Sequence, residues 1–184
     1  MNSIKKSIPA LVFIAGVILL GVSIFIIGEK SSTDANSNNN EEQVQNIEAK
    51  DVGITTFQKE EGAEICLEDG KPVVYLFSTT YCPHCTWAKD AFDQAVKEYV
   101  DEGRIKAYHW ELDINDNTLT DEAETEVPEE HIQKFLSFNP EGYVPAFYFG
   151  CKYYRVGTGH ERTNDISSEK GEFITVIEEL LNSL

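Results

Sequence analysis

Residues 71–85, KPVVYLFSTTYCPHC, carry an apolar run straight into the start of a helix. Pro72–Ser78 is continuous in β-branched, aromatic and aliphatic side chains, the pattern of a short central strand covered on both faces. Pro83 fits the first position of a helix, where its missing N–H would have no partner, and this makes Cys82 the N-cap. The Cys82 sulfur then faces the free N–H groups of His84 and Cys85 at the positive end of the helix dipole, which favours thiolate over thiol. Cys85, three residues on, falls on the same face and can close a disulfide with Cys82. His84 adds a donor or a positive charge, again favouring the reduced dithiol.

The elements on either side follow from hydrophobic periodicity. From Cys85 to Val100 the residues Trp87, Ala88, Ala91, Phe92, Ala95, Val96 and Tyr99 share one helical face, and Gly103 ends the helix. Arg104–Asp113 reads as a second strand, and Val127–Phe138 as a second helix with Pro128 near its start. Ala146–Phe149 and Tyr153–Val156 are short strands joined through Gly150-Cys151-Lys152 as a hairpin. Ser168–Leu181 closes the chain as an amphipathic helix. Upstream, Thr56–Leu67 has a loose helical spacing interrupted by Gly62. The order is (α)βαβαββα, an α/β arrangement over residues 51–184 and of a size that forms one domain without needing a disulfide to fold.

The chain has 184 residues with 15 Lys+Arg against 32 Asp+Glu, a formal net charge of -17. A nucleic-acid backbone or an anionic membrane surface is repelled on average, so no nucleic-acid partner is expected. Ile8–Ile27, IPALVFIAGVILLGVSIFII, has no charged residue in twenty positions. As a helix it would be about 30 Å long, the thickness of the hydrocarbon core. A cleaved signal peptide would have a shorter apolar region and a small-residue exit, which Ile27-Gly28-Glu29-Lys30 does not offer. Residues 1–28 are therefore expected to be a single-pass membrane anchor, and Lys5 and Lys6 place the N-terminus in the cytoplasm with the domain outside. Residues 29–50, rich in Asn, Ser and acids, have the composition of a flexible polar linker.

The Cys-x-x-Cys pair has two readings besides redox chemistry. It could be half of a zinc site, but Cys66, Cys151 and the histidines supply no second pair at ligand spacing. It could be an inert bridge, though a bridge across one helical turn adds little stability. The acid-rich Asp121–Glu130 lacks calcium-loop spacing, and acids suit a helix start by themselves. Neither a metal nor a cofactor is expected.

The βαβαββα order, KPVVYLFSTTYCPHC, and Val144-Pro145 opening the third strand together resemble the thioredoxin superfamily over roughly residues 52–184. The resemblance implies a three-layer α/β/α fold with a central mixed sheet flanked by helices. It also implies a cis Val144–Pro145 bond beside the disulfide, with Tyr81, Val144 and Pro145 as substrate-binding residues. Cys-Pro-His-Cys resembles the active site of DsbA-like disulfide oxidases. The body does not, since only about 30 residues separate Asp113 from Pro145, too few for the large helical insertion of that group. Where the superfamily usually has a buried acid that relays a proton to the inner thiol, this chain has Leu76; His109 on the next strand is a candidate substitute. In this fold Cys66 and Cys151 fall together at the pole opposite Cys82, as a structural disulfide suited to an oxidising compartment.

The resemblance implies a thiol-disulfide oxidoreductase with Cys82, Pro83, His84 and Cys85 as catalytic residues, which the anchor read from residues 1–28 would place at the membrane with its domain extracytoplasmic. Its direction would be oxidase or isomerase in preference to reductase. Its partners would be protein thiols or disulfides, a redox partner, and the membrane through residues 8–27. The alternative is a non-catalytic binding module or chaperone of the same fold.

Overall fold

The computed structural model describes residues 45–184. The anchor expected over residues 1–28 and the first part of the linker lie outside the described residues. Among the described residues, no helix is long and apolar enough to cross a membrane.

The elements are β1 (Gln58–Lys59), β2 (Leu67–Glu68), β3 (Lys71–Ser78), α1 (Pro83–Asp101), β4 (Lys106–Glu111), β5 (Asp116–Asn117), α2 (Glu129–Phe138), β6 (Ala146–Phe149), β7 (Tyr153–Val156) and α3 (Ile166–Leu181), with a 3-10 turn at Glu161–Thr163 before α3. They form a mixed α/β domain whose central sheet has the order β1-β7-β6-β3-β4-β5, with β2 folded back on the start of β3. β3 pairs parallel with β4, the partner reached through α1, and antiparallel with β6. With a neighbour on each side and helices over both faces, β3 has no wet surface, which is why its sequence is apolar without alternation.

Alternate side chains of β3 enter two separate cores. Val74 and Leu76 join Ala88, Ala91, Phe92 and Val96 of α1 and Phe173, Val176 and Ile177 of α3 on one face. Val73, Tyr75 and Phe77 join Trp110 and the α2 residue Phe135 on the other. α1 and α3 therefore cover one side of the sheet and α2 the other. β6 and β7 are joined through Gly150-Cys151-Lys152, in a turn whose central residues Gly150 (φ 60°) and Cys151 (φ 57°) are both left-handed and in which Lys152 N donates to Phe149 O at 3.0 Å. That is the turn whose twist suits a hairpin.

Two expectations are corrected here. Thr56–Leu67 is not a helix: Gln58 and Lys59 pair antiparallel with Tyr154 and Tyr153 at the sheet edge, and the chain turns at Gly62 (φ 80°). Phe57 is pulled into the ring cluster of Phe147, Phe149 and Phe173, which a solvent-facing, acid-rich helix could not match. The linker also ends earlier than residue 50. Residues 45–50 lie along α1 and α3: Gln94 Nε2 donates to Gln45 O at 3.0 Å, Ile47 N donates to Gln94 Oε1 at 2.8 Å, and Lys50 N donates to Ser167 O at 3.0 Å. Gly171 makes the approach possible, because a Cβ there would overlap the Lys50 carbonyl oxygen.

On the α2 side, His131 is buried against the rings of Tyr75 and Tyr108, and its Nδ1 accepts from Trp110 Nε1 at 3.0 Å. Burial pushes the His131 pKa below its ordinary value, with nearby Glu130 and Glu68 opposing. The unfolded chain therefore binds more protons than the folded one just below the ordinary histidine value. The stabilising effect of a neutral His131 is complete above about pH 6.5 and is lost as pH falls toward the folded-state pKa. Urea unfolding between pH 7 and 5 is expected to show this loss. His131→Gln, which keeps an acceptor for Trp110, is expected to flatten the dependence across that window; an unchanged slope would assign it to other groups.

Candidate active site

The end of β3 and the start of α1 set the two cysteines. Cys82 is the N-cap of α1 in extended conformation (φ -85°, ψ 114°), Pro83 occupies the first helical position, and Cys85 N donates to Cys82 Sγ at 3.2 Å. One of the orphan N–H groups of the first helical turn is thus aimed at the outer sulfur. Cys82 and Cys85 are joined as a disulfide with their Cα atoms 5.2 Å apart. Cys82 retains 9% of its surface and Cys85 2%, so an incoming nucleophile meets Cys82 first. The loop before them is pinned by Asp113, whose carboxylate accepts from the backbone N–H and the hydroxyl of Thr80. Those bonds, the hydroxyl first, hold the Asp113 carboxyl below the usual carboxylate value.

The Val144–Pro145 peptide bond is cis, and Val144 O lies 3.7 Å from Cys82 Sγ. Gly157 N donates to Pro145 O at 2.8 Å, which ties the segment after β7 to the proline. His84, Val144, Pro145, Thr158, Glu161 and Arg162 line a groove of about 690 Å³ beside the outer cysteine. Tyr81 and Tyr143, 77% and 64% exposed, each immediately precede a groove-side pair, Cys82-Pro83 and Val144-Pro145. Tyr81 itself is not among the residues lining the groove.

The far wall of the groove has no signature in the sequence. His84 Nδ1 lies 2.7 Å from Glu161 Oε2 and 2.9 Å from Oε1, and Thr158 Oγ1 donates to the same carboxylate at 2.7 Å. Partial burial pushes the Glu161 carboxyl up, but the bonds from Thr158 and His84 outweigh it, so Glu161 titrates below the usual carboxylate value. The segment that presents Glu161 is itself held from below: Gly159 N and His160 N donate to the buried Glu169 Oε2 at 3.0 and 2.8 Å. Glu169 in turn accepts from Arg155. Only the turn-rich composition of Gly157–Gly159 marks this segment in the sequence, and a contact 77 residues from His84 has no local pattern.

His109 does occupy the position opposite Leu76 in the β3–β4 register and is fully buried. Its Nε2 faces Ser78 Oγ at 2.9 Å, and its Nδ1 faces Asp93 Oδ1 and Thr118 Oγ1, each at 2.8 Å. Both ring nitrogens are thus occupied by oxygen partners. Neither sulfur is among them, so a direct proton transfer from His109 to Cys85 is not what the geometry offers.

At the other end of β3, Cys66 and Cys151 form the second disulfide, 85 residues apart in sequence with Cα atoms 5.3 Å apart. Among the described residues, no group of three or more His, Cys, Asp and Glu side chains could hold a metal ion.

No family model matches the chain, and neither does any curated protein or solved structure. The fold and site alone define a mixed α/β domain with a disulfide at a helix N-terminus, its outer sulfur beside a groove.

Proposed function

We propose that the protein is a thioredoxin-like thiol-disulfide oxidoreductase that exchanges disulfides with protein cysteines through Cys82 and Cys85, anchored to the membrane by residues 8–27 with its domain outside. The observation that carries this reading is the placement of Cys82 Sγ as a helix N-cap that accepts a backbone N–H and stays slightly more accessible than the covered Cys85. A substrate thiolate attacks Cys82 Sγ, and Cys85 leaves as a thiolate that takes up a proton. The second substrate thiolate then attacks the substrate sulfur of the mixed disulfide and releases Cys82 as a thiolate stabilised by the helix end. Two electrons pass from the substrate dithiol to the Cys82/Cys85 couple, and a separate redox partner must remove them. In the opposite direction Cys82 attacks and Cys85 resolves. The groove supports an extended peptide beside Val144, whose carbonyl stands next to the reacting sulfur.

The test is equilibration of the full chain with glutathione, with the Cys82/Cys85 state read by alkylation and mass mapping. A potential near about -120 mV gives an oxidase, and one near about -270 mV gives a reductase. A pair that does not equilibrate in the folded protein would leave the binding-module reading.

Glu161 should temper this couple. Its negative charge beside His84 opposes the imidazolium that would favour the Cys82 thiolate. Glu161, held below the usual carboxylate value by the bonds from Thr158 and His84, is ionised at pH 7. At that pH Glu161→Gln is expected to make the couple more oxidising by about 10 to 20 mV, the effect of one partly screened charge. An unchanged potential would show that the His84–Glu161 pair shapes the groove wall without tuning the sulfur.

A further inference from the structure

The second disulfide has a feature that a purely structural bridge does not need. Lys134 of α2 directs its Nζ at both sulfurs, 3.3 Å from Cys66 Sγ and 3.5 Å from Cys151 Sγ. Acids outnumber bases 32 to 15 in this chain, yet among the described residues Lys134 forms no ion pair within 4 Å. A disulfide sulfur is a weak acceptor, so in the oxidised state the ammonium gains little from this position. Against a thiolate the same position becomes a close charge pair.

The bridge is also reachable. Cys66, Cys151 and Lys134 line a cavity of about 480 Å³ with Phe138, Tyr148 and Tyr154. Cys151 is 9% exposed and Cys66 more so, which repeats the inequality between the two sulfurs at α1. The site is separate from that one. Val73 N donates to Cys66 O, and Gly150 N to Val73 O, at the beginning of β3, whereas Cys82 follows its end. Glu60 and Glu64 line the same cavity, and Glu130 lies one turn before Lys134 on α2. These carboxylates disfavour an anionic thiol, so the site suits a thiol on an uncharged or basic carrier.

We propose that Cys66–Cys151 is a second exchange site for such thiols, in which Cys66 receives the nucleophile and Lys134 stabilises the leaving thiolate of Cys151. An incoming thiolate forms a bond to Cys66 Sγ as the Cys66–Cys151 bond breaks, and the electron pair stays on Cys151 Sγ beside the ammonium. A second thiolate of the reductant then attacks the carrier sulfur and releases Cys66. Two electrons move from a dithiol to the bridge, and the dithiol leaves oxidised.

The experiment uses the full chain with Cys82→Ser and Cys85→Ser together, so that its outcome does not depend on the first site. Dithiothreitol, an uncharged dithiol, is added under native conditions at pH 7, and loss of the Cys66–Cys151 bridge is followed by acid quench, alkylation and mass mapping. The rate is expected to rise linearly with dithiothreitol, as direct attack on the folded protein requires. Lys134→Met is expected to slow it about tenfold, and Lys134→Arg to restore it to within about twofold. A rate that levels off at the unfolding rate, or one unchanged in Lys134→Met, would overturn the proposal. The arginine variant guards against a methionine variant that fails to fold.

Discussion

Replacing Cys82 with serine is expected to end exchange at the α1 site, with the rate of mixed-disulfide formation there falling by about a thousandfold or more, because a hydroxyl neither forms a disulfide nor ionises near neutral pH. Cys85→Ser has the opposite appearance. Its outer thiolate can still attack a client disulfide, forming a mixed disulfide and releasing the client's other thiolate, but the covered inner sulfur that would resolve it is gone, so the adduct accumulates. The measurement is peptide mapping of adducts after incubation with a model peptide disulfide and alkylation. Mapping matters, because an adduct at Cys66 would belong to the other pole of the sheet. Consumption of the peptide disulfide by the Cys82→Ser variant at the wild-type rate would refute the exchange mechanism outright. Failure of Cys85→Ser to accumulate any adduct would favour a domain that binds without reacting.

The second large effect is on stability. Arg155 on β7 is buried with Glu169 and Glu172 of α3, whose side chains are fully covered. Its guanidinium also stacks over Phe57, Phe147 and Phe173, with centroid distances of 4.6, 4.7 and 5.1 Å. Burial pulls the Arg155 pKa down and the two carboxylates push it back, so each charge depends on the others. Arg155→Met is expected to cost about 3 to 5 kcal/mol, since it leaves two buried carboxylates without their cation. Adding Glu169→Gln and Glu172→Gln should recover much of that loss, because the triple variant buries no net charge. Urea denaturation of the three proteins separates the cases. A loss below about 1 kcal/mol in Arg155→Met would mean that Thr55, Thr56 and His160 at Glu172, and the Gly159 and His160 N–H groups at Glu169, carry the carboxylates by themselves.

These two results draw on different depths of the sequence. The α1 site was legible because its determinants are local: Pro83 fixes the helix start, and the cysteine spacing follows from one helical turn. β3 and the β6–β7 hairpin were legible for the same reason, the first from its unbroken apolar run and the second from a turn at Gly150-Cys151. The Arg155 cluster was not. Glu169 and Glu172 look like the polar face of an amphipathic helix, and only a cation arriving from β7 turns that face inward. Segment 56–67 was misread because Phe57 and Ile65 fit a helical spacing loosely, while what decides its shape is an edge pairing with residues almost a hundred positions later. The same holds for Glu161, which reaches His84 across the groove through a loop fastened to that hidden cluster.

The way the chain enters the body has a practical side. Residues 45–50 run over α1 near Gln94 and over α3 at Gly171, and Gln94 is eleven residues along α1 from Pro83. At 1.5 Å per residue that is about 16 Å from the reacting sulfur, on the helical flank of the sheet. A sensor chip or bead coupled at the N-terminus of a fragment starting at residue 45 would therefore present the groove outward. Coupling through an added tag near Tyr81 or Tyr143 would bury it. Fragments starting at residue 51 would lose the strand of backbone that fills the notch at Gly171, and with it the fixed orientation.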